Sequence, residues 1–515
     1  MSIEITDELV QIVNERVMYY FREISKIPRG SGKEQHIANY LVEFAVNNNF
    51  VFRRSTELMD GKQTYNVVIE KPATNGYESL DTVILQTHID MVCQKVEGST
   101  HNFDVDPIEI IKKNGQLIAN GTTLGADDGI GVACVLAILE NDHKDITHPR
   151  IEALFTSDEE DGMTGARVVT DLLKSTKRLI NIDTATEGTL CYGCAGGITA
   201  HFYLPITHES IPEGYTFLKI KLFGLLGGHS GVEIHKKHAN AHKLMARTLR
   251  AIWDDYPALL VSFTGGNMKN VIASEATALI AVEKNKVNIV RELIEDQKKI
   301  FLHEYYNIEK DDLFNLTSEI ITPDSCRAIS SESSERFLST LLRIPNDVQA
   351  MHDVEKGLVE TSCNLGIVLQ KSDSFYLCSL IRSFYRTKKL YVLEQMRQLA
   401  FIVGANFYSS DDSPAWEPNP QSELLKRFKS AYKHAFPDAN AEEYPRIESI
   451  HAGLECRYFA DKFPDMDMIA CGPTITGAHT PNEALDIAST EKVVKLLLTV
   501  LNQMNVSSKE DVPLQ

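Results

Sequence analysis

The sequence lacks the basic excess that would hold an anionic partner. Lysine and arginine number 52 against 71 aspartates and glutamates, a formal net charge of −19. Binding to nucleic acid without sequence preference, or to an anionic membrane surface, needs the opposite balance. No apolar stretch approaches the ~20 residues of a membrane span, and the opening MSIEITDELV has acids where a secretory signal would have a basic segment and an apolar core. The final KEDVPLQ carries no lipidation or retention signal. The nine cysteines are odd in number and follow no repeating pattern, so they read as free thiols of a reducing compartment. No internal repeat or low-complexity tract interrupts the chain. These absences point to a soluble, cytoplasmic protein. Its 515 residues, 43% of them hydrophobic, leave room for roughly two to four domains of ~100–200 residues.

What is present alternates. Thr6, Asp7 and Glu8 form a cap and acidic first turn ahead of Val13, Val17, Tyr20, Phe21 and Ile24 at helical spacing. PRGSG (28–32) breaks this helix, and Ile37, Leu41, Phe44 and Ala45 mark a second. Strand patterns follow at YNVVIE and TVILQTHI, Asn114-Gly115 signals a hairpin, and a helix over DGIGVACVLAILEN precedes the strands IEALF and RLINID. Such alternation predicts an α/β unit with a largely parallel sheet covered on both faces. Beyond residue 198, TFLKIKLFG alternates Leu218, Ile220 and Leu222 with Lys219 and Lys221, as in a sheet with one wet face. Helices and further strands to LIRS make an α+β unit. The Pro-rich stretch 409–423 reads as a return linker, followed by a helix, the strand MDMIACG and a terminal helix capped by Ser489. The expected domains are 1–197 and 411–515 together, with 198–410 inserted.

Three apolar strands end in groups fit for metal or proton chemistry. VILQTHID ends in His88 and Asp90, IEALFTSDEE in Glu159 and Glu160, and RLINID in Asp183. Carboxyl ends of strands line the crevice of an open α/β sheet, so these ends could converge. GTTLGADDGIG sets Asp127 and Asp128 at a helix start, where an acid is ordinarily an N-cap. His88 and Asp90 point to the same face of their strand, which suits either a satisfied histidine or a ligand with a supporting carboxylate. The run Asp158–Asp161 could equally be a solvated turn. His479 sits in the Gly/Pro loop of GPTITGAHTPNE. Cys191 and Cys194 form a lone CxxC that reads as structural, since no second pair accompanies it. His451 and Glu455 stand one helical turn apart and read as a pair. No Lys-Ser/Thr follows the glycines of GADDGIG, so they make no phosphate loop.

In order along the chain, THIDM, GTTLGADDGIG, TSDEEDGMTGA, NIDTATEG, CYGCAGG, LLGGHSG, GIVLQ to LIRS, IHAGLEC and GPTITGAH resemble the aminoacyl-histidine dipeptidases of the M20 metallopeptidase family. The resemblance implies a zinc-peptidase-like catalytic domain, an inserted lid and two adjacent Zn²⁺ ions, with Co²⁺ or Mn²⁺ as possible substitutes. It implies Asp127 as the bridging ligand, His88 and Asp183 completing one metal site, and Glu160 and His479 the other. Glu159 would be the general base and Asp90 the acid that tunes His88. Substrate contacts would fall to His229, Asn270, Arg382 and Gly453, though by type alone His229 suits a turn and Arg382 a buried ion pair. The implied reaction is hydrolysis of dipeptides, Xaa-His above all, without a covalent enzyme species, in a homodimer. Deacylation of N-acyl amino acids, a broader di- or tripeptidase activity and non-catalytic binding are the alternatives. Asp128 and Asp161 stand where relatives often have Asn and Ala, and Asp158 and Asp161 read as solvated or capping residues.

Overall fold

The computed structural model describes residues 5–310, 312–322, 327–353, 355–440 and 444–505. The chain divides into two compact units, one formed by Met1–Gly193, Trp416–Ser449 and Leu454–Gln515, the other by Cys194–Ala415 and Ile450–Gly453. The last four residues of that division are a second, brief departure from the first unit that nothing in the sequence marks.

In the first unit, Thr6 Oγ1 accepts the Leu9 N–H at 3.3 Å and starts the helix Asp7–Ile24, whose Val13, Val17, Tyr20, Phe21 and Ile24 are buried. An eight-stranded sheet runs in the order Val51–Ser55, Asn66–Lys71, Ile151–Thr156, Val83–His88, Arg178–Asn181, Asp467–Ala470, Thr189–Cys194, Arg446–Ile450. Its four central strands are parallel, and antiparallel strands flank them on both sides. The sheet is therefore mixed, with the expected parallel arrangement confined to its centre. Val83–His88 and Ile151–Thr156 are buried at every position, as strands covered on both faces must be. The helix Ala126–Glu140 packs against Val83–His88 and is buried from Asp128 to Leu139. Gly129 lets the helix lie close to Arg29, since a Cβ there would come 2.4 Å from its buried guanidinium.

Asn114 and Gly115 take φ of 51° and 79°, the conformation a two-residue hairpin turn requires. The hairpin Ile110–Lys113/Gln116–Ala119 continues through Ala484–Asp486 and Ile475–Thr476 into a small four-stranded sheet. The turn joining those last two strands carries His479. Two expectations need correction here. The terminal helix Ile487–Asn502 is capped by Asp486, whose carboxylate accepts the Ser489 N–H at 2.7 Å, so Ser489 lies inside the helix. The stretch 409–423 begins as part of the strand Asn406–Ser413, and only the residues after it connect.

The second unit is built on a nine-stranded sheet in which every pairing is antiparallel. Leu218, Ile220 and Leu222 are buried on Tyr215–Phe223 while Lys219 and Lys221 are not. The helices Ala241–Asp255, Val287–Glu304, Ser331–Arg343 and Arg386–Val403 pack against the sheet and close one continuous apolar core.

Candidate metal centre

The parallel strands bring three chain segments to one sheet edge. Val83–His88 ends in His88, Ile151–Thr156 leads to Glu159 and Glu160, and Arg178–Asn181 leads to Asp183. Asp127, at the start of Ala126–Glu140, and His479 complete the group. His88 Nε2 lies 3.1 Å from Asp127 Oδ1 and 3.7 Å from Asp183 Oδ1. On the other side, His479 Nε2 lies 3.3 Å from Asp127 Oδ2 and 3.0 Å from Glu160 Oε2. Ligand atoms of His88, Asp127 and Asp183 all fall within 4.8 Å of one another, as do those of Asp127, Glu160 and His479, and those of His88, Glu159 and Glu160. Asp127 belongs to two of these groups and offers a different oxygen to each histidine.

Asp90 supports the group from beneath. Its carboxylate lies 3.3 Å from His88 Nδ1 and accepts the N–H groups of Glu159 (3.0 Å) and Glu160 (3.2 Å) and the hydroxyl of Ser31 (2.8 Å). One buried acid thus orients both the imidazole and the backbone of the acid pair. Burial pushes Asp90 up, but the His88 ring, Ser31 and the Glu159 N–H outweigh it and hold it below its ordinary value. Burial would lower His88, yet Asp183, Asp127 and Asp90 lift it well above the usual imidazole range. Hydrogen bonds to Asp127 and Glu160 raise His479 to about 10. Burial drives Glu159 and Asp183 far above the carboxylate range, and the neighbouring acids add to the shift. Among the protein's own groups, negative charge is in excess at this edge, so the two histidines, Glu159 and Asp183 hold protons more tightly than usual while Asp90 and Asp127 stay ionised beside the rings.

A match to the model of "Peptidase family M20/M25/M40" spans residues 84–503 and takes in every residue of this group. The chain belongs to that family. An Escherichia coli (strain K12) relative, the "Cytosol non-specific dipeptidase", is 36% identical over 497 residues, 96% of this chain and 99% of that protein. The crystal structure of the aminoacylhistidine dipeptidase from Vibrio alginolyticus is likewise 36% identical, covers 94% of this chain and 96% of its own, and superposes with a TM-score of 0.83. The dipeptidase Dug1p of Saccharomyces cerevisiae, at 14% identity, 98% and 100% coverage and a TM-score of 0.55, shares the fold.

M20 peptidases depend on metal, and the donors here fit one. Imidazole and carboxylate are suited to zinc and its first-row neighbours. Glu160 Oε1 is buried with no hydrogen-bond partner, which costs free energy unless a cation meets it.

The acid run after IEALF divides by partner. Of the two roles expected for Asp158, solvated or capping, the first is excluded because it is buried: Lys62 Nζ lies 2.8 Å from it, the Thr164 hydroxyl donates to it at 2.7 Å, and its own N–H reaches Glu34 at 3.0 Å. Lys62 also pairs with the exposed Asp161. Lys62 lies on the hairpin Leu58–Met59/Lys62–Gln63, far from the acid run in sequence. Asp128 is buried and accepts the Gly131 N–H at 3.1 Å.

The four residues expected to touch substrate all belong to the second unit. Ser230 donates its N–H to the Asn270 carbonyl at 2.9 Å, tying the loops of His229 and Asn270 together. His229 Nδ1 accepts the N–H groups of Gly231 and Val232, both at 3.2 Å, which puts the hydrogen of the neutral ring on Nε2. The expected pairing of His451 with Glu455 is overturned, because the chain passes from one unit to the other between them. His451 Nε2 meets Ser362 Oγ at 2.7 Å, and Ser362 stands opposite Arg382 in the sheet. Burial, then the charge of Arg382, lowers His451 to about 3. Glu455 instead accepts from Gln86 and Thr156, each at 2.6 Å, inside the first unit, and burial raises it to about 7. Cys191 and Cys194 are buried on one strand.

Sequence reasoning placed Glu455 in a pair with His451 and missed the other residues that support the centre: Arg29, Ser31, Glu34, Lys62 and Glu483. The only signals for any of them were the PRGSG loop and the PNE that closes the last motif.

Proposed function

We propose that this chain is a dipeptidase working with two divalent metal ions, zinc first among them. The observation that carries the reading is Asp127, whose Oδ1 faces His88 at 3.1 Å and whose Oδ2 faces His479 at 3.3 Å. One ion would be held by His88, Asp127 and Asp183, the other by Asp127, Glu160 and His479. Divalent cations in such a site polarise a carbonyl and lower the pKa of water.

The protein's own part is proton transfer and orientation. Glu159, next to a ligand and outside both sets, accepts a proton from the attacking water and returns it to the departing amine. Asp90 holds the His88 ring and the Glu159 backbone still while this happens. Water attacks the peptide carbonyl directly, so no acyl-enzyme forms. The Nε2–H of His229 is a donor suited to a developing oxyanion. Arg382 has the planar fork that binds a substrate carboxylate bidentately, and Asn270 and Gly453 keep the substrate-binding roles of the resemblance. The cytoplasmic location and the homodimer belong to this reading as well.

Xaa-His dipeptides, carnosine-like compounds included, are the preferred substrates in this reading, as the name of the Vibrio alginolyticus relative supports. A broader dipeptidase is the second reading, favoured by the name of the Escherichia coli relative. The test is to strip the metal with a chelator and restore Zn²⁺, Co²⁺ or Mn²⁺ singly while assaying Xaa-His dipeptides, other dipeptides and N-acyl amino acids. Hydrolysis of dipeptides should vanish and return. Chelator-resistant hydrolysis, or faster turnover of N-acyl amino acids than of any dipeptide, would overturn the proposal.

A further inference from the structure

The segment Leu124–Asp127, where the helix Ala126–Glu140 begins, has no cap from its N-cap residue. Gly125 holds the N-cap position at φ 70° and has no side chain to offer. Asp127 and Asp128 have non-helical backbone angles, so the first N–H groups of the segment lack intrahelical acceptors. Glu483, buried at 2% exposure, supplies what is missing. One of its oxygens, Oε2, accepts the N–H groups of Leu124 (2.7 Å) and Gly125 (2.9 Å). The other, Oε1, accepts those of Ala126 (2.7 Å) and Asp127 (3.2 Å). A carboxylate also suits the positive end of a helix dipole.

Glu483 belongs to the turn that carries His479. The Thr480 N–H bonds the Gly477 carbonyl at 3.2 Å and the Glu483 N–H bonds the Thr480 carbonyl at 3.0 Å, so its position relative to that histidine is set locally. Opposite it, the buried guanidinium of Arg29 donates to the carbonyls of Gly125, Ile89 and Asp90, gripping the same loop from its carbonyl side. An aspartate at a helix start ordinarily folds back to cap its own first turn. Asp128 does so through the Gly131 N–H, whereas the N–H groups ahead of it, up to that of Asp127, are taken up by another segment, and the Asp127 carboxylate faces the two histidines.

We propose that Glu483 is a positioning residue of the metal centre: by capping the Asp127 segment from the His479 turn, it frees the Asp127 carboxylate and locks two ligand-bearing segments in register. This rests on the reading of Asp127 as the shared ligand. Glu483→Gln tests it, because one acceptor oxygen becomes an NH₂ that opposes two N–H donors.

The full chain is stripped of metal and titrated with Zn²⁺ against a competing chelator, comparing the unaltered protein with Glu483→Gln, Glu483→Asp and Asp127→Asn. Glu483→Gln should weaken Zn²⁺ affinity about 10- to 100-fold and lower kcat with KM little changed. A purely structural role would lower the melting temperature of the metal-free protein and leave Zn²⁺ affinity alone; that result would overturn the proposal. Should Glu483→Gln not fold, Glu483→Asp keeps the charge but is one methylene too short to reach all four N–H groups, and unaltered Zn²⁺ affinity in it would overturn the proposal equally. Fewer than two Zn²⁺ in the unaltered protein, or unchanged binding by Asp127→Asn, would sink the dinuclear reading on which all of this stands.

Discussion

The four central strands of the first unit run parallel, so their carboxyl ends meet on one edge, where His88, Glu159, Glu160 and Asp183 converge from segments far apart in sequence. In the second unit every strand pairing is antiparallel, neighbours end on opposite edges, and no strand direction is available to collect side chains. Its candidate residues instead come from loops, at His229, Asn270 and Gly453, with Arg382 alone on a strand. A parallel edge concentrates charge, and buried charge of one sign calls for a cation. An antiparallel sheet whose candidate residues sit mostly in loops offers donors one at a time, which suits holding a molecule in place.

The largest effect expected from this contrast is at the parallel edge. Glu159→Ala should lose on the order of 10²- to 10⁴-fold in kcat while keeping two Zn²⁺ by elemental analysis; a variant that turns over normally would show that the edge is not where the reaction occurs. Next comes Asp90→Ala, which releases the His88 ring and two backbone N–H groups. Its Zn²⁺ affinity should fall about 10- to 100-fold, and an unchanged titration would remove Asp90 from the supporting set.

The loop-built unit should respond differently. Replacing the fork of Arg382 by a point charge in Arg382→Lys should raise KM by roughly 10-fold or more, the loss of a charged hydrogen bond, with kcat near its original value and metal content intact. A fall in kcat alone would place Arg382 in the chemistry and blur the contrast.

The smallest effect concerns stability. His242, buried in the second unit, is lowered to about 4 by burial, its contact with the Gly366 carbonyl only partly opposing this. Between that value and the unfolded 6.5 the unfolded chain binds a proton that the native chain refuses. Stability is therefore complete above pH 6.5 and declines as pH falls toward 4, by on the order of 2 kcal/mol at pH 5. His242→Leu should flatten that decline in melting temperature against pH, and an unaltered slope would assign the acid sensitivity to other groups, His148 and His451 included.

Much of the centre was legible before any coordinates. Apolar runs ending in His88, Glu159–Glu160 and Asp183 announce themselves because a strand's burial and the polarity of its end are both local properties. The supporting residues were not legible for the converse reason. Nothing near Glu483 says that its oxygens will meet N–H groups some 356 residues earlier, and nothing near Lys62 points to Asp158. His451 and Glu455 misled because a spacing of four is only helical if the chain is helical there, and the helix starts at Cys456.

By itself, then, the sequence determined the family, the alternation that builds a parallel centre, and which side chains its strand ends and motifs put forward, since composition, periodicity and motif order all reside in neighbouring residues. Only the tertiary structure decided that Asp127 faces both histidines, that its helix is capped from the His479 turn, and that the acids after IEALF divide between Lys62 and the metal edge. Each of those depends on which distant segment fills a hydrogen-bonding or charge vacancy, and burial makes such vacancies too costly to leave unfilled.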